Sequence, residues 1–362
     1  MERTARFRDA GWVLLLLALV IAAIGIAEIY STTEHSALAG QAHKQIYWVL
    51  LGTAVAIIVS RIDYHILLEQ SPWIYIGTVA MLTLLLAVGP RIAGTKRWFV
   101  VGGLTFQVSE FAKLVIILAV AAYFADRAGK AVGWLDFAKV GALVGLPAVL
   151  VALEPDLGTA LTLLPIGAAG IFLAGIRTKQ IAVLVLLGAM LLPVGWHFLK
   201  PYQRDRLTSF INPSHDTQGS SYQGAQSKIA IGSGGFWGKG FGNGTQSHLG
   251  FVPVSHADFV FAAFAEEQGF LGTLVVLLLY LALLLRLLDS AQTAGDRAGR
   301  FLCAGIAAVF FFQVVINAGM MIGLFPITGI PLPLMSQGGS TALGTFLALG
   351  LAMSVNMRRF VN

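Results

Sequence analysis

Apolar runs long enough to cross about 30 Å of hydrocarbon, roughly 20 residues each, recur along the chain. They fall near 12–30, 44–60, 72–89, 108–125, 136–153, 157–176, 180–199, 262–286, 301–324 and 336–357. The pattern predicts an all-α, polytopic integral membrane protein of about ten transmembrane helices. Glycine and proline inside several runs fit this reading, because neighbouring helices satisfy the freed backbone groups. One interval breaks the rhythm: residues 200–261 form a long polar loop between the seventh and eighth helices. Loops of that length usually carry function. No internal repeat divides the chain, so residues 1–362 read as a single transmembrane domain, which weakens an inverted-repeat transporter. The first run is too long, with no small-residue cleavage site after Tyr30, for a cleaved signal peptide.

Composition agrees. Hydrophobic residues make up 57% of the chain, charged residues 12%, and mean hydropathy is +0.78, which excludes a soluble domain. Lysine and arginine set the orientation. With a cytoplasmic N-terminus, thirteen of them, including Arg3, Arg6, Arg8 and Lys130, fall on inner segments. The short outer loops carry four: Lys44, Arg91, Lys96 and Arg97. Both termini are then cytoplasmic and the long loop is extracytoplasmic. The net charge of +6 is therefore a topology signal and does not point to nucleic acid. Cys303, the one cysteine, lies in an apolar run, so no disulfide supports the loop.

Polar groups gather where the outer helix ends are expected. Glu110 and Lys113 are neighbours on one helix face: either a structural ion pair, or Lys113 faces a cavity holding an anion with Glu110 setting its position. Lys96 and Arg97 precede Trp98, as an interfacial anchor or a phosphate contact. Asp156 has the position of a helix N-cap, whereas Glu154 has no such local explanation. Gln313 and Asn317, at i and i+4, suggest interhelical hydrogen bonds. The segment FPITGIPLPLMSQGGS breaks the backbone at Pro326, Pro331 and Pro333 and supplies Ser336 and Ser340.

In the long loop, IGSGGFWGKGFGNGTQ is not a nucleotide cradle, since Gly240 follows Gly238-Lys239 where a P-loop needs Ser or Thr. Its glycines permit tight turns and close approach by a ligand. SYQGAQSKIAI places Tyr222, Ala225 and Ile229 on one side, as in a short interfacial helix. His248 and His256 lack a third ligand at metal spacing. Asp258 ends the loop, as a cap or a functional acid. Glu266 would lie roughly 12 Å further along a helix, beyond hydrolase-pair spacing, which favours one isolated base.

Taken together, GTKRWFVVGG, FQVSEFAK, EPDLGT, YQRDRLTSFINP, QSKIAIGSGGFWGKG, GTQ, HADFVFAAFAEEQG and PITGIPLPLMSQGGS resemble the SEDS family (shape, elongation, division and sporulation). YQRDRLTSFINP and GTQ look more like its elongation members than its division members. The resemblance implies a peptidoglycan glycosyltransferase that polymerises lipid II on the outer face of the bacterial cytoplasmic membrane. It implies an essential acid at Asp258 and functional residues at Lys113 and Glu110. It further implies a class B penicillin-binding protein, MreC and MreD as partners. Val254 stands where the family usually has Glu, Ala257 where Thr is common and Gln337 where Tyr is frequent.

With a lipid-linked pyrophosphate substrate in view, the candidate contacts are Lys113, Glu110, Lys96, Arg97, Glu154, Asp156, Lys239, Gln246, His256, Ser336 and Ser340. No protein metal site is expected; a divalent cation (magnesium or manganese) is an alternative charge source beside Lys113 and Arg97. A lipid II flippase and a structural scaffold for a transpeptidase are the competing readings.

Overall fold

The computed structural model describes residues 11–34, 38–92, 95–102, 104–127, 132–212, 219–252 and 254–359. Arg3, Arg6, Arg8 and Lys130, used above for orientation, lie outside these segments. The described elements are α1 (Trp12–Thr33), α2 (Gln41–Arg61), α3 (Tyr64–Glu69), α4 (Ser71–Val88), β1 (Phe99–Val101), β2 (Leu104–Phe106), α5 (Val108–Ala125), α6 (Trp134–Leu153) and α7 (Leu157–Leu173). After them come α8 (Thr178–Phe198), α9 (Pro201–Ile211), α10 (Ser220–Gly234), α11 (Thr245–His248), α12 (Val260–Thr293), α13 (Arg297–Ile322) and α14 (Gly339–Arg358).

Eight of these helices are long and apolar enough to span a membrane, and α7 and residues Thr178–Met190 of α8 are shorter apolar helices. Each overlaps one of the ten apolar runs. Helices α5, α13 and α14 are the most buried spans and form the centre. Helix α14 packs along α2, and α13 packs on α12, α5 and α7. Close approach of α14 to α2 depends on a small residue, as in membrane interfaces generally: a Cβ on Gly350 would lie 2.8 Å from the Ala56 carbonyl oxygen.

Two features differ from the sequence expectation. GTKRWFVVGG, where the sequence suggests an interfacial anchor or a phosphate contact, leads into an antiparallel hairpin with Phe99 opposite Phe106; its β-branched and aromatic residues suit a strand. The long loop is largely structured, through α9, α10 and α11. In α10, Ser227 and Ala230 are buried while Ala225 and Ile229, on the predicted apolar side, are exposed. The helix rests on α12 and α13 through the small side chains of Ser227 and Ala230.

The glycine run has a different partner from the one its sequence suggested. Helix α12 is interrupted at Gly269, with φ 65° and ψ −165°, and the loop backbone docks onto the break. Phe270 N–H donates to Gly235 O (2.9 Å), Lys239 N–H to Glu266 O (3.1 Å) and Gly240 N–H to Glu267 O (2.9 Å). A Cβ on Gly238 would lie 2.1 Å from Glu267 O, and one on Gly269 would lie 2.2 Å from Gly238 N. Close approach is thus by the protein's own helix. Gly269→Ala is expected to destabilise by about 2–4 kcal/mol, through a strained φ and a backbone clash. A thermal melt in detergent, with proteolysis of the loop, measures it.

Candidate active site

The ends of α5, α7 and α12, the hairpin, α9 and the irregular 323–338 segment enclose a cavity of about 630 Å³. Arg97, Gln107, Glu110, Asp156, Arg206 and Asp258 line it. Separate elements supply them: Arg97 leads into β1, Gln107 and Glu110 open α5, Asp156 opens α7, Arg206 lies on α9 and Asp258 precedes α12.

The backbone around Asp258 is clasped to the 330–337 segment. Asn317 Nδ2 donates to Asp258 O (3.2 Å) and Ile330 O (2.8 Å). Ser336 Oγ donates to Ala257 O (2.8 Å) and accepts from Leu332 N–H (2.8 Å). Gln337 N–H donates to His256 O (3.1 Å). Upstream, Val254 adopts φ 52°, an unfavourable conformation for a β-branched residue. Its carbonyl accepts from Ala257 N–H at 3.0 Å, closing the turn that delivers the acid.

Three acids line the cavity, in different states. Asp156 Oδ1 caps α7 by accepting from Thr159 N–H (3.2 Å); its Oδ2 accepts from Gln107 Nε2 (3.0 Å) and faces Arg97 Nη1 at 3.4 Å. Glu110 is held by Lys113 Nζ at 2.9 Å. Among the described residues, the Asp258 carboxylate makes no hydrogen bond or ion pair. Burial pushes it above the usual carboxylate range, Arg206 and Arg97 draw it back, and Asp156 adds to the rise. Arg206 is anchored through Nη1 to Thr328 O (3.2 Å), and the Arg97 guanidinium stacks over Trp98, 4.6 Å from the ring centroid.

Several sequence candidates lie elsewhere. Lys113 does not line the main cavity: its side chain is 8% exposed and borders a small space of about 20 Å³ with Ile117, Phe310 and Gln313. Of the two sequence alternatives the structure has the ion pair, with Lys113 fixing Glu110 on the wall. Lys96 Nζ donates to Leu86 O (2.9 Å) and Ala87 O (3.2 Å), anchoring the end of α4. Lys239 and Gln246 converge on Glu266, through Lys239 Nζ (2.6 Å) and Gln246 N–H (2.9 Å). They order the loop around that acid. Ser336 belongs to the clasp, and Ser340 Oγ accepts from Gln107 N–H (3.0 Å), tying α14 to α5. His256 is half-buried, and burial holds its imidazole below the ordinary range.

Glu154 is fully buried and both its carboxyl oxygens lack a hydrogen-bond partner. Burial, then the charge of Asp156, push its carboxyl up to about 8, with Arg97 opposing, against 4.5 for an ordinary glutamate. A raised folded pKa stabilises fully below the unfolded value and loses that contribution as pH rises through about 8. The wild-type thermal midpoint is therefore expected to fall between pH 5 and 9. Glu154→Gln should flatten this decline, a difference of more than about 1 kcal/mol across the window.

Arg206 and Gln107 were missed in the sequence. Arg206 sits in a run, QRDR, that resembles a solvated face, and Gln107 looks like a lead-in to α5. Asn317 was read as an interhelical tie and instead holds two loop carbonyls. Among the described residues no group of three or more His, Cys, Asp or Glu could hold a metal ion. Asp156 is already committed to Arg97 and Gln107.

Known proteins give the class first: this helix bundle is a peptidoglycan glycosyltransferase of the multi-pass membrane type. More particularly, the chain belongs to the FtsW/RodA/SpoVE family of cell cycle proteins, whose model matches residues 10–360. It is 36% identical to the peptidoglycan glycosyltransferase MrdB of Escherichia coli K12, covering 97% of this chain and 94% of that one. It is 33% identical to the peptidoglycan glycosyltransferase RodA of Treponema pallidum, covering 97% and 98%. A solved chain of a peptidoglycan synthase complex, the subject of work on coordinated polymerization and crosslinking, superposes with a TM-score of 0.84 at 31% identity, covering 97% and 98%. The crystal structure of the Thermus thermophilus rod shape determining protein RodA gives 0.73 at 29% identity, with the same coverage.

Proposed function

We propose that this chain polymerises lipid II into β-1,4 glycan strands during cell elongation, with Asp258 as general base. One observation carries the assignment: of the three acids on the cavity wall, Asp258 alone is uncommitted among the described residues, and it faces two arginines. The donor is a glycan on undecaprenyl pyrophosphate, and the acceptor is the 4-hydroxyl of an incoming lipid II. As that oxygen bonds to the donor anomeric carbon, its proton passes to the Asp258 carboxylate. The bond to the pyrophosphate oxygen breaks, and the pyrophosphate leaves as a stable anion without needing an acid. Arg97 and Arg206 stabilise its charge electrostatically. Attack opposite the leaving group inverts the α-linked donor to a β product.

The lysine and arginine bias supports cytoplasmic termini and an outward-facing cavity in the bacterial cytoplasmic membrane. Family membership supports a class B penicillin-binding protein as transpeptidase partner, with MreC and MreD in the same assembly. Labelled lipid II is given to purified protein, with and without that partner, and the products are resolved on a gel. Polymer is expected. Translocation of lipid II in proteoliposomes without polymer would overturn the assignment in favour of a flippase. Growth supported by Asp258→Asn would favour a scaffold.

A further inference from the structure

Away from the cavity, Glu28 near the loop-bearing end of α1 is 1% exposed, and its Oε1 has no hydrogen-bond partner. Its charged neighbours are acids, since Glu267 and Glu266 are close enough to repel it. Both of those are accommodated. Glu266 meets Lys239 Nζ (2.6 Å) and the N–H groups of Gln246 (2.9 Å) and Ser247 (3.2 Å). Glu267 accepts from Ser31 Oγ (2.5 Å) and Gly242 N–H (3.1 Å) and lies 3.2 Å from His248 Nε2. Glu28 has no ion-pair partner among the described residues. A buried carboxylate left in this state is costly unless a cation or donor reaches it.

Glu28 lines a recess of about 500 Å³ between α1 and α12, with Trp237, Phe241, Gln268, Ile24 and Leu271. The glycine loop supplies the two aromatic rings, and both stand open, Trp237 at 75% and Phe241 at 52% exposure. A carboxyl group, a carboxamide and two aromatic side chains lining one space are the groups that receive an ammonium. Ile24 and Leu271 continue the wall as hydrocarbon, suited to an acyl chain. An anionic headgroup would meet the field of the carboxylates, and a quaternary ammonium has no N–H to donate to Glu28 or Gln268.

We propose that the recess between α1 and α12 binds the headgroup of a membrane lipid carrying a primary ammonium. The full chain is equilibrated with equimolar phosphatidylethanolamine, phosphatidylglycerol and phosphatidylcholine, and the lipids retained are counted by native mass spectrometry. Phosphatidylethanolamine should be retained roughly tenfold over the other two, the size of one charge-assisted hydrogen bond. The preference should fall to near one in Glu28→Gln and weaken in Trp237→Ala, whereas Asp289→Asn, an exposed acid, leaves it intact. Trp237 is exposed, so that variant carries the test if Glu28→Gln misfolds, and polymer formation reports its folding. Equal retention of the three lipids by the wild type, or a preference that survives both substitutions, overturns the proposal.

Discussion

Asp258→Asn is expected to lower polymer formation from lipid II by about 10²–10⁴-fold, the range of a positioned general base. The amide has nearly the same shape and cannot take the proton of the attacking hydroxyl. Folding should be unaffected, because the clasp on this segment uses the carbonyls of His256, Ala257 and Asp258, none of which the substitution touches. The check is a gel-resolved polymer assay beside a thermal melt, so that lost chemistry is separated from lost structure. The wild-type rate should also carry an acidic limb above the usual carboxylate range, since burial disfavours the ionised form that accepts the proton. A variant with full activity would sink the assignment.

Lys113→Ala is the second large effect, and two causes contribute. The ion pair is enclosed, with Lys113 at 8% and Glu110 at 3% exposure, so removing one partner strands a buried charge at a cost of about 3–5 kcal/mol. Activity loss in the single variant is therefore ambiguous. The double variant Glu110→Gln, Lys113→Met removes both charges with little change in volume, and it should recover most of the lost stability. Recovery of the thermal midpoint without recovery of polymer is expected, because Glu110 lines the cavity and the double variant lacks its charge. Restored polymerisation would reduce the pair to packing.

The helices were legible because hydrocarbon length imposes a run of apolar residues that local composition displays. The acid at the loop's end was legible through its family motif, not through spacing, which left it a possible cap. What could not be read were pairings across long separations. Glu266 collects Lys239, Gln246 and Ser247 from 19 to 27 residues away, and nothing local distinguishes it from an acid facing substrate. Similarly, a glycine run shows that something comes close without saying what. Here it is α12, at a helix break that Gly269 alone does not announce. Arg206 was hidden because a charged face and a cavity wall have the same composition.

The interruption at Gly269 also sets depth. From Phe270 to Leu285 the chain carries no charged residue, and at 1.5 Å per residue that stretch covers about 24 Å, most of the hydrocarbon thickness. Most of the crossing is therefore made after the break, and the piece of α12 before it rises towards the outer boundary of the hydrocarbon. Asp258 stands beyond its far end, roughly 15 Å from the break by helical rise. At that height sit the charged heads of lipids. A polyprenyl carrier whose tail stays dissolved would present its pyrophosphate and first sugar at the level of the base, without being lifted from the bilayer.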